Sequence, residues 1–296
     1  MQNYSKPRHI WRAIYPLMIY LGMSILIAVV AAVSIALGEL SSEVALSTET
    51  LDQEAILERA ELFLEEHGMM LQLIASTLGL AVFVLMWRKI RTGIPQYENS
   101  KLSPLVVVLT VLACAGANYA LIFIISITNI MRFFPDYEEI ARLLSGGSLI
   151  ERILVIGFVA PAVEELLCRG IIFNRLSSWM PVWAAVLISS ALFGVIHMNL
   201  FQGMYAFLIG AVFCLLYVRY RNLWVPIIGH MAFNLANLAI TEAFAEAGSE
   251  ENSVFIIIIS GMLIAIVCTA YLMKHTKAAV LTEETNAARD CEDHPL

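Results

Sequence analysis

Charge is what this sequence has least of. Only 15% of its 296 residues are Asp, Glu, Lys or Arg, against about 25% in an ordinary soluble domain. Hydrophobic residues make up 59% and the mean hydropathy is +0.77. One soluble core cannot hide that much apolar side chain, whereas a bilayer accepts it. The basic residues form no clustered face, which excludes nucleic acid as a partner. The five cysteines contain no CxxC pair, which removes zinc ribbons and thioredoxin-like centres. Cys114, Cys168, Cys214 and Cys268 instead lie inside apolar runs, as small packing residues. With 16 glycines and 9 prolines, collagen-like and low-complexity classes are excluded as well. No internal repeat of the transporter kind is visible. The expected fold class is an all-α polytopic membrane protein.

Eight apolar runs qualify as candidate spans, at about 13–37, 70–87, 105–130, 153–173, 182–199, 204–218, 225–240 and 254–273. Lys6, Arg8 and Arg12 precede the first run, and Arg88, Lys89 and Arg91 follow the second. Arg175 follows the fourth, Arg219 and Arg221 the sixth, and Lys274 and Lys277 the eighth. Eight spans put all of these on one side, which the positive-inside rule makes the cytoplasm, with both termini inside. The opposite side carries Glu39–His67, an acidic segment that reads as a separate amphipathic surface helix, and a second connection at Phe133–Gly147. The chain divides into spans one to three (1–149), a core with the last helix (150–275) and a polar tail (276–296).

The informative residues are those that lipid should exclude. The fourth run reads Pro161-Ala-Val-Glu164-Glu165-Leu-Leu-Cys-Arg169, and each charge costs about 2.5–3.5 kcal/mol at a helix centre. Glu165 and Arg169 are spaced i,i+4 and can pair along one face. Glu164 points about 100° away and escapes that pairing. It is the candidate base. A buried polar clamp between helices would explain Glu165 and Arg169 equally well, but it leaves Glu164 without a partner on its own helix. Pro161 is expected to loosen the helix upstream and shape a cavity.

His197 falls in the fifth run and His230 in the seventh, with Asn234 one turn after His230 on the same face. Counted from Trp183 and Trp224, His197 lies about 21 Å deep and His230 about 9 Å, so a shared site demands different helix starts or tilts. No HExxH, rhomboid-type GxSG or GxGD motif is present. What remains is Glu, two His and Asn. Glu164 suits a general base, a histidine can hold the water or leaving group, and Asn234 can donate to an oxyanion. Glu164, His197 and His230 are equally acceptable as ligands of a zinc ion.

These residues, as Glu164-Glu165-x-x-x-Arg169, Phe193-x-x-x-His197 and His230-x-x-x-Asn234, resemble the three motifs of the CPBP family. That family comprises the type II CAAX prenyl endopeptidases and the bacteriocin-processing (Abi) intramembrane proteases, and the likeness covers about Ile153–Ile240. The resemblance implies an eight-helix peptidase fold with a site opening toward the cytoplasmic side. It implies that Glu164 activates the attacking water, that His197, His230 and Asn234 complete the site, and that Glu165 and Arg169 shape it. It leaves two chemistries open, a divalent metal such as zinc on Glu164, His197 and His230, or a metal-free glutamate mechanism. The expected function is cleavage of a membrane-associated peptide, prenylated or leader-type, in a bacterial plasma membrane. The competing reading is a non-catalytic immunity, transport or assembly protein that uses the same polar site for binding.

Overall fold

The computed structural model describes residues 6–41, 53–91, 102–247 and 251–275. Among them nine helices follow in order and no strand occurs: α1 (Lys6–Ser41), α2 (Gln53–Arg91), α3 (Pro104–Thr128), α4 (Asp136–Ser145), α5 (Leu149–Ser177), α6 (Val182–Val195), α7 (Leu200–Tyr220), α8 (Trp224–Ala247) and α9 (Glu251–His275). The chain is an all-α integral membrane protein. The polar tail expected at 276–296 lies outside the described residues.

Each of the eight apolar runs lies largely in a helix, though the helices of the runs 105–130 and 182–199 end at Thr128 and Val195, and fewer than eight are built to cross a bilayer unaided. Six helices, α1 to α3 and α7 to α9, are long and apolar enough; α4 and α5, bent by 108° where they meet, make a seventh when taken together. α5 fails alone because Glu164, Glu165 and Arg169 interrupt its apolar surface. α6 has 14 residues, about 21 Å at 1.5 Å per residue, against a hydrocarbon core of about 30 Å.

The acidic segment differs from its expected form. Residues 53–67 are not a separate surface helix but the first turns of α2; a lone glycine such as Gly68 costs only about 1 kcal/mol in a helix and does not end one. Residues 42–52 of that segment lie outside the described residues. The connection after α3 is also helical, a 3-10 turn at Ile130–Phe133 followed by α4.

Charged contacts define two ends of the bundle. At the acidic end Arg142 of α4 pairs with Glu61 at 3.4 Å and Glu65 at 3.3 Å, and Arg152 of α5 pairs with Glu242 of α8 at 2.7 Å. At the basic end Arg175 of α5 donates to the Arg12 carbonyl of α1, and Arg219 of α7 donates to the carbonyls of Leu272 and Met273 on α9. Between these ends α5 is the central strut. Every residue from Leu166 to Phe173 is buried, which is how a helix behaves when neighbours cover all its faces.

Candidate active site

The site is built on an irregular helix. Ile153–Val159 and Leu166–Phe173 of α5 are π-helical, and they bracket the α-helical stretch Ala160–Glu165. Pro161 explains the first widening. Ala160 donates its N–H to Val155, five residues back, so it no longer serves Ile156. The next donor in line would be Pro161, which has no N–H. The Ile156 carbonyl is left without a backbone donor, and Asn234 Nδ2 of α8 supplies one at 2.8 Å. The helices meet closely here: a Cβ on Gly157 would stand 2.6 Å from Leu235 Cδ2. In the second widened stretch Ser189 of α6 donates its hydroxyl to the Cys168 carbonyl at 2.9 Å. Widened turns of this kind recur at functional sites.

The two carboxylates are treated differently. Glu165 and Arg169 are both fully buried and joined by a 2.9 Å hydrogen bond from Nη1 to Oε1. Arg169 also donates to the Gly210 carbonyl, and its guanidinium lies 4.6 Å over the Phe193 ring. Gly210 is required for that reach, since a Cβ there would stand 2.8 Å from Phe193 and 3.2 Å from Arg169 Nη2. Glu164 has no arginine partner among the described residues. Its Oε2 faces His230 Nε2 at 3.8 Å, while Nδ1 of the same ring lies 3.1 Å from Glu165 Oε1. A carboxylate paired with arginine can only accept, so Nδ1–H donates to Glu165 and Nε2 is turned to Glu164. His230 is stacked on Phe213 with ring centroids 4.8 Å apart. One imidazole thus spans both acids.

His197 is not within α6. The helix ends at Val195 and His197 lies in the turn before α7, with Nδ1 2.8 Å from the Phe193 carbonyl. Met198 beside it adopts φ +54, a left-handed conformation that costs a side-chain-bearing residue about 1–2 kcal/mol. Asn199 then caps α7 by accepting from the Gln202 N–H. The turn is tight because α6 and α7 touch through glycines: a Cβ on Gly194 would stand 2.6 Å from the Gly203 carbonyl. The depth conflict between the histidines is met by an intermediary. Phe193 presents its ring edge-on to both, at 5.1 Å from His197 and 5.5 Å from His230. The turn lies toward the acidic end, where Phe201 packs on Phe134 and Tyr137 at 5.2 and 5.0 Å. His197 therefore lies nearer the acidic end than the basic end.

Residues 146–236, the stretch that holds all of these groups, match the family model described as Type II CAAX prenyl endopeptidase Rce1-like. A Bacillus subtilis (strain 168) protein named "Putative membrane peptidase YdiL" is 38% identical over 82 residues, 28% of this chain and 34% of that protein. This chain resembles that family over residues 146–236. It spans about a third of the length of that curated relative. No solved structure matches it.

Within residues 146–236, Glu164, Glu165, Arg169 and His230 come together, Asn234 stands one helical turn away, and His197 joins them through Phe193. Among the described residues no three His, Cys, Asp or Glu side chains are grouped so as to hold a metal ion. His230 faces Glu165 through Nδ1 and Glu164 through Nε2, and no ion pair links His197 to either acid among the described residues. The sequence reading missed Gly210, Phe213, Ser189 and the Ile156 carbonyl. A glycine or serine in an apolar run carries no signal of its own, and a carbonyl carries none at all.

Proposed function

We propose that this chain is an intramembrane endopeptidase that cleaves a membrane-associated peptide with a water activated by Glu164. One observation carries the reading. Arg169 neutralises Glu165 while Glu164, without an arginine, faces His230 Nε2 at 3.8 Å. A water about 2.8 Å from both atoms fits that separation. Glu164 takes its proton as the water oxygen bonds to the scissile carbonyl carbon. The same carboxyl returns the proton to the amide nitrogen as the C–N bond breaks, releasing acid and amine. His230, anchored by Glu165 and Phe213, holds the water on the Glu164 side. The Asn234 amide has one N–H left after its bond to Ile156, and that donor serves the developing oxyanion. His197 completes the site across the Phe193 ring.

The Rce1-like description of residues 146–236 and the peptidase name of the Bacillus relative support this class of reaction. Substrates of the prenylated or leader type suit a site walled by lipid-embedded helices. The basic helix ends face the cytoplasm of a bacterial plasma membrane, with both termini inside.

The test is a cleavage assay on protein reconstituted in vesicles, beside Glu164→Gln. The variant keeps shape and hydrogen bonding, so it should fold, bind substrate and lose about 10²–10⁴-fold in turnover. Near-normal cleavage by folded Glu164→Gln refutes the assignment. Binding without hydrolysis in the wild type points to the immunity or assembly reading instead.

A further inference from the structure

The basic end of α1 carries a feature that the chemistry above does not use. Pro16 lies inside α1 and has no N–H, so the Arg12 carbonyl lacks its i+4 donor. Arg175, at the far end of α5, supplies that donor from Nη1 and donates from Nη2 to the Tyr15 hydroxyl at 3.0 Å. Its guanidinium also lies 4.9 Å over the Tyr15 ring. Arg175 is 9% exposed, and no carboxylate lies within ion-pair distance of it among the described residues. A buried cation is thus held by neutral dipoles alone, a costly arrangement unless an anion comes near. Tyr15 accepts from Arg175, and its own O–H finds no acceptor among the described residues.

Beside this pair lies an open groove of about 440 Å³, lined among the described residues by Trp11, Tyr15, Met18 and Ile19 of α1. That volume lies within the range of about 300–1,000 Å³ typical of small-molecule sites. Its polar group, Tyr15, lies toward the basic end, and Met18 and Ile19 run on along a helix that faces the hydrocarbon. Trp11, 63% exposed, sits where interfacial aromatics mark the headgroup level. A free phosphate would answer Tyr15 and Arg175 but leave Met18 and Ile19 uncovered. A neutral lipid would do the reverse.

We propose that this groove binds an anionic phospholipid. A phosphate oxygen accepts from the Tyr15 O–H and balances Arg175, while an acyl chain lies along Met18 and Ile19. The bound lipid fastens α1 to the end of the helix that carries Glu164. This site does not depend on the peptidase reading.

Native mass spectrometry of the full chain, released from micelles holding equimolar phosphatidylglycerol and phosphatidylcholine, tests it without any activity measurement. Wild-type protein should retain phosphatidylglycerol several-fold over phosphatidylcholine. Met18→Trp, which fills the groove from an exposed position, should retain neither above background. Tyr15→Phe should keep the acyl contact and lose the preference for phosphatidylglycerol. Equal retention of the two lipids by the wild type overturns the proposal, as does no retention at all, the result expected if another part of the chain fills the groove. Undiminished phosphatidylglycerol on Met18→Trp of wild-type melting temperature overturns it too.

Discussion

Asn234 gives its amide N–H to Ile156, 78 residues earlier in the chain, at the carbonyl that Pro161 leaves without a backbone donor. The bond ties α8 to α5 one turn from the place where His230 meets Glu164 and Glu165. The spacing of His230 and Asn234 therefore has a structural reason besides any chemical one. One helix face reads a side-chain pair and a freed carbonyl together.

That relationship can be isolated by a double-mutant cycle. Asn234→Ala strands a carbonyl and should cost about 1–3 kcal/mol of stability. In a Pro161→Ala background the chain regains a backbone donor, so the same change should cost markedly less. Thermal unfolding in micelles, followed by tryptophan fluorescence, measures both. Equal costs in the two backgrounds would show that Pro161 and Asn234 are not coupled.

Removing one member of the Glu165–Arg169 pair leaves a buried charge alone, at a typical cost of about 3–5 kcal/mol. Arg169→Ala and Glu165→Ala should therefore each lower the folded yield. Removing both with Glu165→Leu and Arg169→Met should recover part of it, read as the monodisperse fraction on size exclusion. Normal folding of Arg169→Ala with complete loss of cleavage would place Arg169 in the chemistry.

Gly210→Ala puts a methyl group against Phe193 and Arg169 Nη2. Overpacking of this kind costs about 1–3 kcal/mol. The change should also loosen the seating of His230, because Phe193 touches both groups. Gly22→Ala, which meets nothing within 4 Å, is the control and should match the wild type in melting temperature and turnover. A Gly210→Ala protein with wild-type stability would mean that the helices yield at this point.

Orientation is tested with single cysteines. Glu66 and Arg88 lie on the same helix, 22 residues and about 33 Å apart. Impermeant maleimide added outside intact cells should label Glu66→Cys and spare Arg88→Cys. The opposite pattern would place the basic ends outside.

Much of the helical frame was readable because apolar runs and basic flanks are local signals. Each of the eight runs lies largely in a helix, and the i,i+4 spacing of Glu165 and Arg169 appears as a 2.9 Å hydrogen bond. Other features depend on partners distant in sequence. Nothing near His197 announces that α6 stops at Val195, because the stop rests on Met198 entering the left-handed region. The start of α2 looked like a surface helix because its acidic side chains resemble one, and pattern does not reveal continuity. That Glu165 rather than Glu164 pairs with Arg169 was visible on their own helix. The imidazole that spans them comes from another.

The shortness of α6 has a consequence for the supply of solvent. A hydrolase enclosed by lipid must admit one water for every bond it cuts. Where α6 falls about 9 Å short of the hydrocarbon thickness, the polar turn His197–Asn199 stands below the level at which a full-length helix would surface. For the proposed peptidase, a bilayer thinned on that flank would shorten the path from bulk water toward Glu164.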